Sequence, residues 1–315
     1  MALQQYTNLN FEDIKISIKD YLRSNSNFTD FDFEGSNLSV LINLLAYNTY
    51  ITAFNTNMAV NETFIDSATL RENVVSLARN IGYVPRSRRA AKAKVDYNIS
   101  DLDSTVTQIT FVPGIISNGR VSNTSYIFSL PERVSGTAEN GESVGTLEIY
   151  QGQYLETNFI VDSAQKNQRY ILPNEGIDTS SIRVKVRDNA ASTSETEFKL
   201  VDNILGITST SNIYLLQETT DERYELLFGD NIFGKKLDSG NVVEISYIRT
   251  NGSAGNGVRD FSFSGRLLDQ NGALLQNYTP ILTVNQPSDN GDEIESLQSV
   301  KYYAPRRYAS QHRAV

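Results

Sequence analysis

Any chemistry in this chain has to come from carboxylates, hydroxyls and backbone amides, because the other common reagents are almost absent. There is no cysteine, which removes disulfides, thiolate zinc sites, iron–sulfur clusters and cysteine nucleophiles. His312 is the single histidine, too few for a multi-histidine metal site and far from any Ser/Asp pattern that would make a triad. The cluster Gly252-Ser253-Ala254-Gly255-Asn256-Gly257 has the composition of a phosphate cradle. Such a cradle needs a helix after it, whose N–H groups face the phosphate. Val258-Arg259-Asp260-Phe261-Ser262-Phe263 follows instead and reads as extended, so a loop or hairpin using positive φ is expected. In Phe228-Gly229-Asp230-Asn231-Ile232-Phe233-Gly234-Lys235, two Phe-Gly pairs flank a turn at Asp230-Asn231. Asp230 is a candidate acid, but no partner carboxylate accompanies it at a recognisable spacing, and the turn is the favoured reading. Asp289, Asp292, Glu293 and Glu295 gather four carboxylates. Their register misses that of a calcium loop, and acids near a helix start are favourable without a metal. Catalytic, cofactor and metal sites are all expected to be absent.

The elements that would carry these residues fall into three kinds. Asn10 is placed to cap a helix with Asp13 behind it, followed by Phe11, Ile14, Ile18, Tyr21 and Leu22 at helical spacing. Gly35-Ser36-Asn37 opens a second helix, from Leu38 to Phe54, whose apolar residues point in nearly every direction. A helix apolar all round must be enclosed. Either the β region covers it or helices from other chains do, and the second is the favoured reading. A third helix is expected from near Ser67, with Leu70, Val74, Val75, Leu77, Ala78 and Ile81 as its stripe, Gly82 as its C′ residue and Pro85 beyond it.

Arg86 to Lys94 then forms a basic stretch, expected as a solvated connector, with a dock for an acidic partner as the alternative. From Val95 to about Thr283 short alternating runs read as strands: Val95–Ile99, Ile109–Phe111, Tyr126–Phe128, Leu147–Ile149, Phe159–Val161, Tyr170–Leu172, Ile182–Val186 and Val242–Tyr247. Their uneven spacing argues against a short repeat. After a polar hinge at Asp289-Asn290-Gly291-Asp292, Glu293, Ile294, Leu297 and Val300 recur at helical spacing, and Pro305 is expected to interrupt or end that helix.

With 315 residues the chain suits about two domains and can bury cores without staples. The formal net charge is −9, while residues 85–100 carry five bases and one acid. A mostly acidic chain makes a poor nucleic-acid binder. No signal peptide is visible, and the apolar stretch from Leu38 to Phe54 is too short and too interrupted to cross a bilayer. The expectation is a soluble protein made in a cytosol, with no nucleic-acid partner and no membrane insertion.

Several segments carry a family resemblance. Phe31-Asp32-Phe33-Glu34-Gly35-Ser36 runs into Leu38-x-Val40-Leu41-x-x-Leu44-Leu45-Ala46-Tyr47-Asn48-Thr49, and Ala59-Val60-x-Glu62-x-Phe64, Ala68-x-Leu70-Arg71 and Gly82-Tyr83-x-Pro85 follow. Together they resemble the N-terminal region of the T4-type phage baseplate wedge proteins, within the wider baseplate J-like family. Phe228-Gly229-Asp230-x-x-Phe233-Gly234, then Gly252 through Gly255-Asn256-Gly257, and Ile171-Leu172-Pro173-Asn174 with Ile177-Asp178 are similar to that family's β segment. Family members continue past Arg313-Ala314-Val315 into a further C-terminal domain, so the resemblance implies either a shorter protein or the N-terminal part of one.

What the resemblance implies is structural: a subunit of the virion tail baseplate, assembled in the host cytoplasm. It would pair with a second copy, bundle with other wedge proteins and meet hub-proximal and sheath-proximal tail proteins in a ring that rearranges on sheath contraction. Leu38, Leu41, Leu45, Tyr47 and Ile51 would then face the bundle. Gly35, Phe228, Gly229, Asp230, Phe233, Gly234, Gly255 and Asn256 would be signature turns. The expected fold is α+β: a helical bundle arm (1–84), a basic linker (85–94), a mainly antiparallel β region (95–285), and a hinge with the start of a further C-terminal domain (286–315). A host-glycan-binding tail protein is the alternative, and a polysaccharide-degrading enzyme a third possibility.

Overall fold

The computed structural model describes residues 7, 10–24, 36–121, 123–165, 168–201 and 206–311. Gly35, most of the Phe31–Ser36 motif, and His312 with the residues after it lie outside them. Contacts divide the chain into two compact units, residues 1–83 with 297–315, and residues 84–296.

The first unit is helical: α1 (Phe11–Arg23), α2 (Asn37–Glu62), α3 (Arg71–Asn80) and α4 (Leu297–Gln311). Local chemistry sets most of the ends. The Asn10 side chain accepts the Glu12 N–H at 3.0 Å, and the Ser36 hydroxyl accepts the Ser39 N–H at 3.0 Å. Helix α3 begins at Arg71, later than Ser67. The Glu62 carboxylate accepts the Thr69 and Leu70 N–H groups, the Thr69 hydroxyl and the Asn73 amide, so residues before Arg71 form a capping turn. Leu70 is consequently half-exposed rather than part of the buried stripe. At its other end Gly82 has φ +76°. Gly82 N–H donates to Arg79 O and Tyr83 N–H to Ala78 O, a Schellman ending that glycine allows without strain.

Helix α4 starts at Leu297, not Glu293, because Glu295 is engaged elsewhere. It also runs through Pro305. Val300 and Ala304, just before the proline, are buried against α3 with Ala68, Val74, Ala78 and Tyr83, and the Arg306 guanidinium turns back to donate to Tyr302 O at 2.6 Å. Packing thus outweighs the local cost of the proline. The α1–α2 pair is cored less well. No residue of α1 is fully buried, and Phe11, Ile14, Ile18 and Leu22 reach only half-burial.

The second unit is β. Its first eight strands are β1 (Lys92–Ile99), β2 (Gln108–Phe111), β3 (Gly114–Val121), β4 (Thr124–Leu130), β5 (Val134–Thr137), β6 (Ser143–Gln151), β7 (Gln153–Ile160) and β8 (Tyr170–Ile171). The rest are β9 (Ile177–Arg187), β10 (Glu195–Leu200), β11 (Ile213–Glu218), β12 (Tyr224–Phe228), β13 (Val242–Arg249), β14 (Asp260–Phe263), β15 (Leu267–Asp269) and β16 (Ile281–Asp289).

They form a six-stranded sheet in the order β14-β3-β4-β6-β1-β16, a seven-stranded sheet β7-β13-β9-β10-β11-β12-β8, and a small sheet β15-β2-β5. Pairing is antiparallel apart from β10 with β11. Alternation along β1, where Ala93, Val95, Tyr97 and Ile99 are buried, directs one face inward. Both large sheets curl until their edges meet. In the first, Ser288 N–H donates to Val258 O and Gly257 N–H to Ser288 O. In the second, the Phe159 and Tyr170 rings meet edge-on at 5.6 Å, and Gln168 donates to Ile160 O at 2.7 Å. Each sheet encloses its own core, one around Val95, Phe111, Phe128 and Ile149, the other around Val184, Tyr224, Ile245 and Tyr247.

Candidate interaction surface

Helix α2 is 26 residues long, about 39 Å at 1.5 Å per residue. It carries no charged side chain from Asn37 to Asn61. At about 100° per residue, its side chains fall on three faces. The first contains the buried Ser39, Ile42, Ala46, Asn57 and Asn61. Helix α1 contacts α2, and Thr7 is pinned to Asn57 Oδ1 and Ala53 O.

The second face holds Val40, Leu44, Tyr47, Ile51, Phe54 and Met58, spaced four and three alternately, the register of a coiled-coil seam. Val40 is 62% exposed, Leu44 61% and Tyr47 58%. The third face holds Leu41, Leu45, Asn48, Thr52, Asn55 and Ala59 in the same alternation, and all six are exposed. Thr49, Thr52 and Thr56 donate their hydroxyls to the carbonyls four residues back, at 2.9, 2.8 and 2.8 Å. Those hydroxyls therefore need no further donor partner when another chain covers them.

Of the five residues singled out for the bundle, Leu41 and Leu45 lie on the third face and Tyr47 and Ile51 on the second. Leu38, half-buried like Ile51, sits at the border of the third face and the core. Val40, Leu44, Phe54 and Met58 were missed. Their signal was present in the four–three spacing, which an all-round apolar reading of the helix obscures.

The signature turns are spatially separate from α2 and structural in their contacts. Asp230 Oδ1 accepts the N–H groups of Ile232 and Phe233 at 2.9 and 2.8 Å. The Phe233 bond and then the Ile232 bond hold its carboxyl below the usual range. Asn231 takes φ +70°, the turn closes with Asn231 N–H on Gly234 O, and Gly234 N–H reaches Thr208 O. A side chain at Gly234, φ +81°, would meet Ile213 Cγ1 at 2.6 Å. Phe228 anchors the turn against Tyr170 and Phe198, whereas Phe233 is half-buried outside that core.

The Gly252–Gly257 cluster is a 3₁₀ turn leading into β14, with Gly252 and Gly257 at positive φ. Asn256 accepts the Gly291 N–H at 2.8 Å and donates to Gly291 O at 3.0 Å. Gly255 lies so close to the Gln151 side chain that a Cβ would collide with it.

The four carboxylates near residue 290 are likewise committed. Glu295 accepts the Arg86 N–H at 2.9 Å, Glu293 accepts Ser253 N–H and hydroxyl, and Asp292 lies 3.7 Å from the Arg86 guanidinium. The basic stretch is held along its length: Arg89 and Asp292 exchange backbone bonds, and the buried Asp178 accepts the Ala90 N–H at 2.9 Å. A cleft of about 460 Å³ in the β unit sets Arg88 and Arg249 against Glu175 and Glu222, with charges of both signs.

Residues 10–83 match the family model described as the helical domain of baseplate wedge protein gp6-like sequences. Over 97% of its length the chain is 30% identical to the baseplate wedge protein gp6 of Enterobacteria phage T4. It covers 48% of that protein, so it spans about half the length of the curated relative it matches.

Proposed function

Similarity to gp6-like baseplate wedge proteins runs through the helical and the β units alike, and on that premise we propose that the chain is a structural subunit of a contractile-tail baseplate wedge. It pairs with a second copy of itself and bundles with other wedge proteins through α2, and the wedges close as a ring that meets hub-proximal and sheath-proximal tail proteins and rearranges on contraction.

The observation that carries this reading is the uncharged α2, apolar on faces that its own unit leaves open. Val40, Leu41, Leu44, Leu45 and Tyr47 are each more than half exposed, and covering one such side chain contributes about 1.5–3 kcal/mol. A contiguous apolar surface of this kind marks an interface. The test is co-purification of the full chain with its wedge partners, with and without Leu41→Asp and Leu45→Asp together. Loss of association in the double variant is expected, and undiminished assembly would sink the assignment of α2 to the bundle.

The glycan-binding reading needs exposed tyrosine platforms on the β unit. There Tyr97, Tyr170, Tyr214, Tyr224 and Tyr247 are buried, and the more exposed tyrosines, Tyr21, Tyr47, Tyr302, Tyr303 and Tyr308, lie on helices. A glycan array with the full chain is expected to be blank. A glycosidase would need two carboxylates about 5–10 Å apart facing one groove, whereas Asp230 and the acids near residue 290 are tied into turns.

A further inference from the structure

The two open faces of α2 differ in a way that assigns them different occupants. The Val40–Met58 seam is apolar throughout. The Leu41–Ala59 seam is apolar at its start and carries two amides, Asn48 and Asn55, seven residues apart and so at equivalent heptad positions. Among the described residues neither amide has a hydrogen-bond partner within the chain. Between Asn37 and Asn61 no charge is available to select a partner by salt bridges, so these amides are the strongest source of specificity on that face.

We propose that a second copy of α2 lies parallel and in register along the Leu41–Ala59 seam, Asn48 facing Asn48 and Asn55 facing Asn55, while the Val40–Met58 seam takes a helix of a different, apolar-faced partner. This rests on the reading that α2 self-associates, and adds its direction, its register and the residues that set them. A carboxamide is donor and acceptor at once, so it is complementary to its own copy. In a parallel pair each heptad position faces itself.

In the antiparallel alignment that keeps the full seam in contact, Leu41 would face Ala59, Asn48 would face Thr52, and Asn55 would face Leu45. The Thr52 hydroxyl already donates to Asn48 O at 2.8 Å, and Leu45 offers nothing, so Asn55 would be buried without a partner. Sliding a parallel pair by one heptad keeps only one amide pair and places the other amide against Leu41 or beyond the seam. The parallel, in-register arrangement is the one that satisfies both amides.

The absence of cysteine makes this directly testable in the full chain. Leu41→Cys, Ala59→Cys and Met58→Cys each introduce a single thiol at an exposed position, and unchanged far-UV circular dichroism verifies the fold. Under mild oxidation, Leu41→Cys and Ala59→Cys are each expected to form disulfide-linked homodimers, and Met58→Cys is not. A mixture of Leu41→Cys with a mass-tagged Ala59→Cys is expected to yield same-site dimers with no mixed species. Adding Asn48→Leu and Asn55→Leu to both partners should make the mixed 41–59 species appear, since nothing then distinguishes the directions.

A dominant 41–59 disulfide in the unaltered background would overturn the parallel arrangement. Cross-linking through Met58→Cys with Ala59→Cys silent would overturn the choice of seam. In both cases self-association itself stands. A chain that is monomeric by light scattering, with every thiol silent, would overturn the self-association reading and this inference with it.

Discussion

Glu62 is the last residue of α2 and the cap of α3. Partial burial would raise its carboxyl, but the bonds from Thr69, Asn73 and Leu70 outweigh that and bring it down to about 2 from an ordinary value of 4.5. A carboxyl depressed in the folded state stabilises above its unfolded pKa, and that contribution is lost as pH falls through the folded one. The helical unit is therefore expected to lose stability between about pH 4.5 and about pH 2. Glu62→Gln should flatten that dependence and cost about 1–3 kcal/mol at neutral pH. Thermal melts followed by circular dichroism across this range check both, and a variant whose acid profile matches the parent would remove Glu62 from the account. Asn256 offers a second case. Asn256→Ala removes both bonds to Gly291 and should cost about 1–3 kcal/mol, visible as faster amide hydrogen exchange at Gly291 and along residues 86–92 and 289–295.

At the scale of elements, α2 separates two kinds of apolar residue that look alike in the sequence. Ile42 is 1% exposed and Leu41 and Leu45 are open, although all three sit within five positions. Ile42→Ala should destabilise the isolated chain by about 2–4 kcal/mol. Leu41→Asp with Leu45→Asp should shift its melting by no more than about 0.5 kcal/mol in stability terms while removing association. Equal destabilisation by both would mean that α2 is covered from within the chain. The turn elements argue similarly. Asp230 and the Gly252–Gly257 cluster have compositions suited to chemistry, yet each spends its polar groups on closing backbone, which is why a motif needs its structural context before it is given a role.

For the whole molecule, the contrast lies between a chain of net charge −9 and a 26-residue helix carrying its only charge at the last position. Assembly through such a helix should be nearly indifferent to sodium chloride and strengthened by sulfate, because apolar burial responds to excluded salts and not to screening. Sedimentation at low and high salt tests this, and a steep loss of association on adding sodium chloride would point instead to the charged surfaces of the β unit.

The order of residues alone determined the helical start, the alternating strands and the surplus of apolar groups on α2, because those depend on periods of a few residues. It also placed the Ser36 cap, the Gly82 ending and the turn at Asp230-Asn231, where one side chain or one positive φ suffices. The delayed start of α3 required Glu62 to reach Thr69, and passage through Pro305 required α3 to hold Val300 and Ala304. The basic stretch is ordered rather than loose because Arg86 meets Glu295 across 209 positions. Only the closed tertiary structure decides such pairings, since they depend on where distant segments arrive and leave no trace in local spacing.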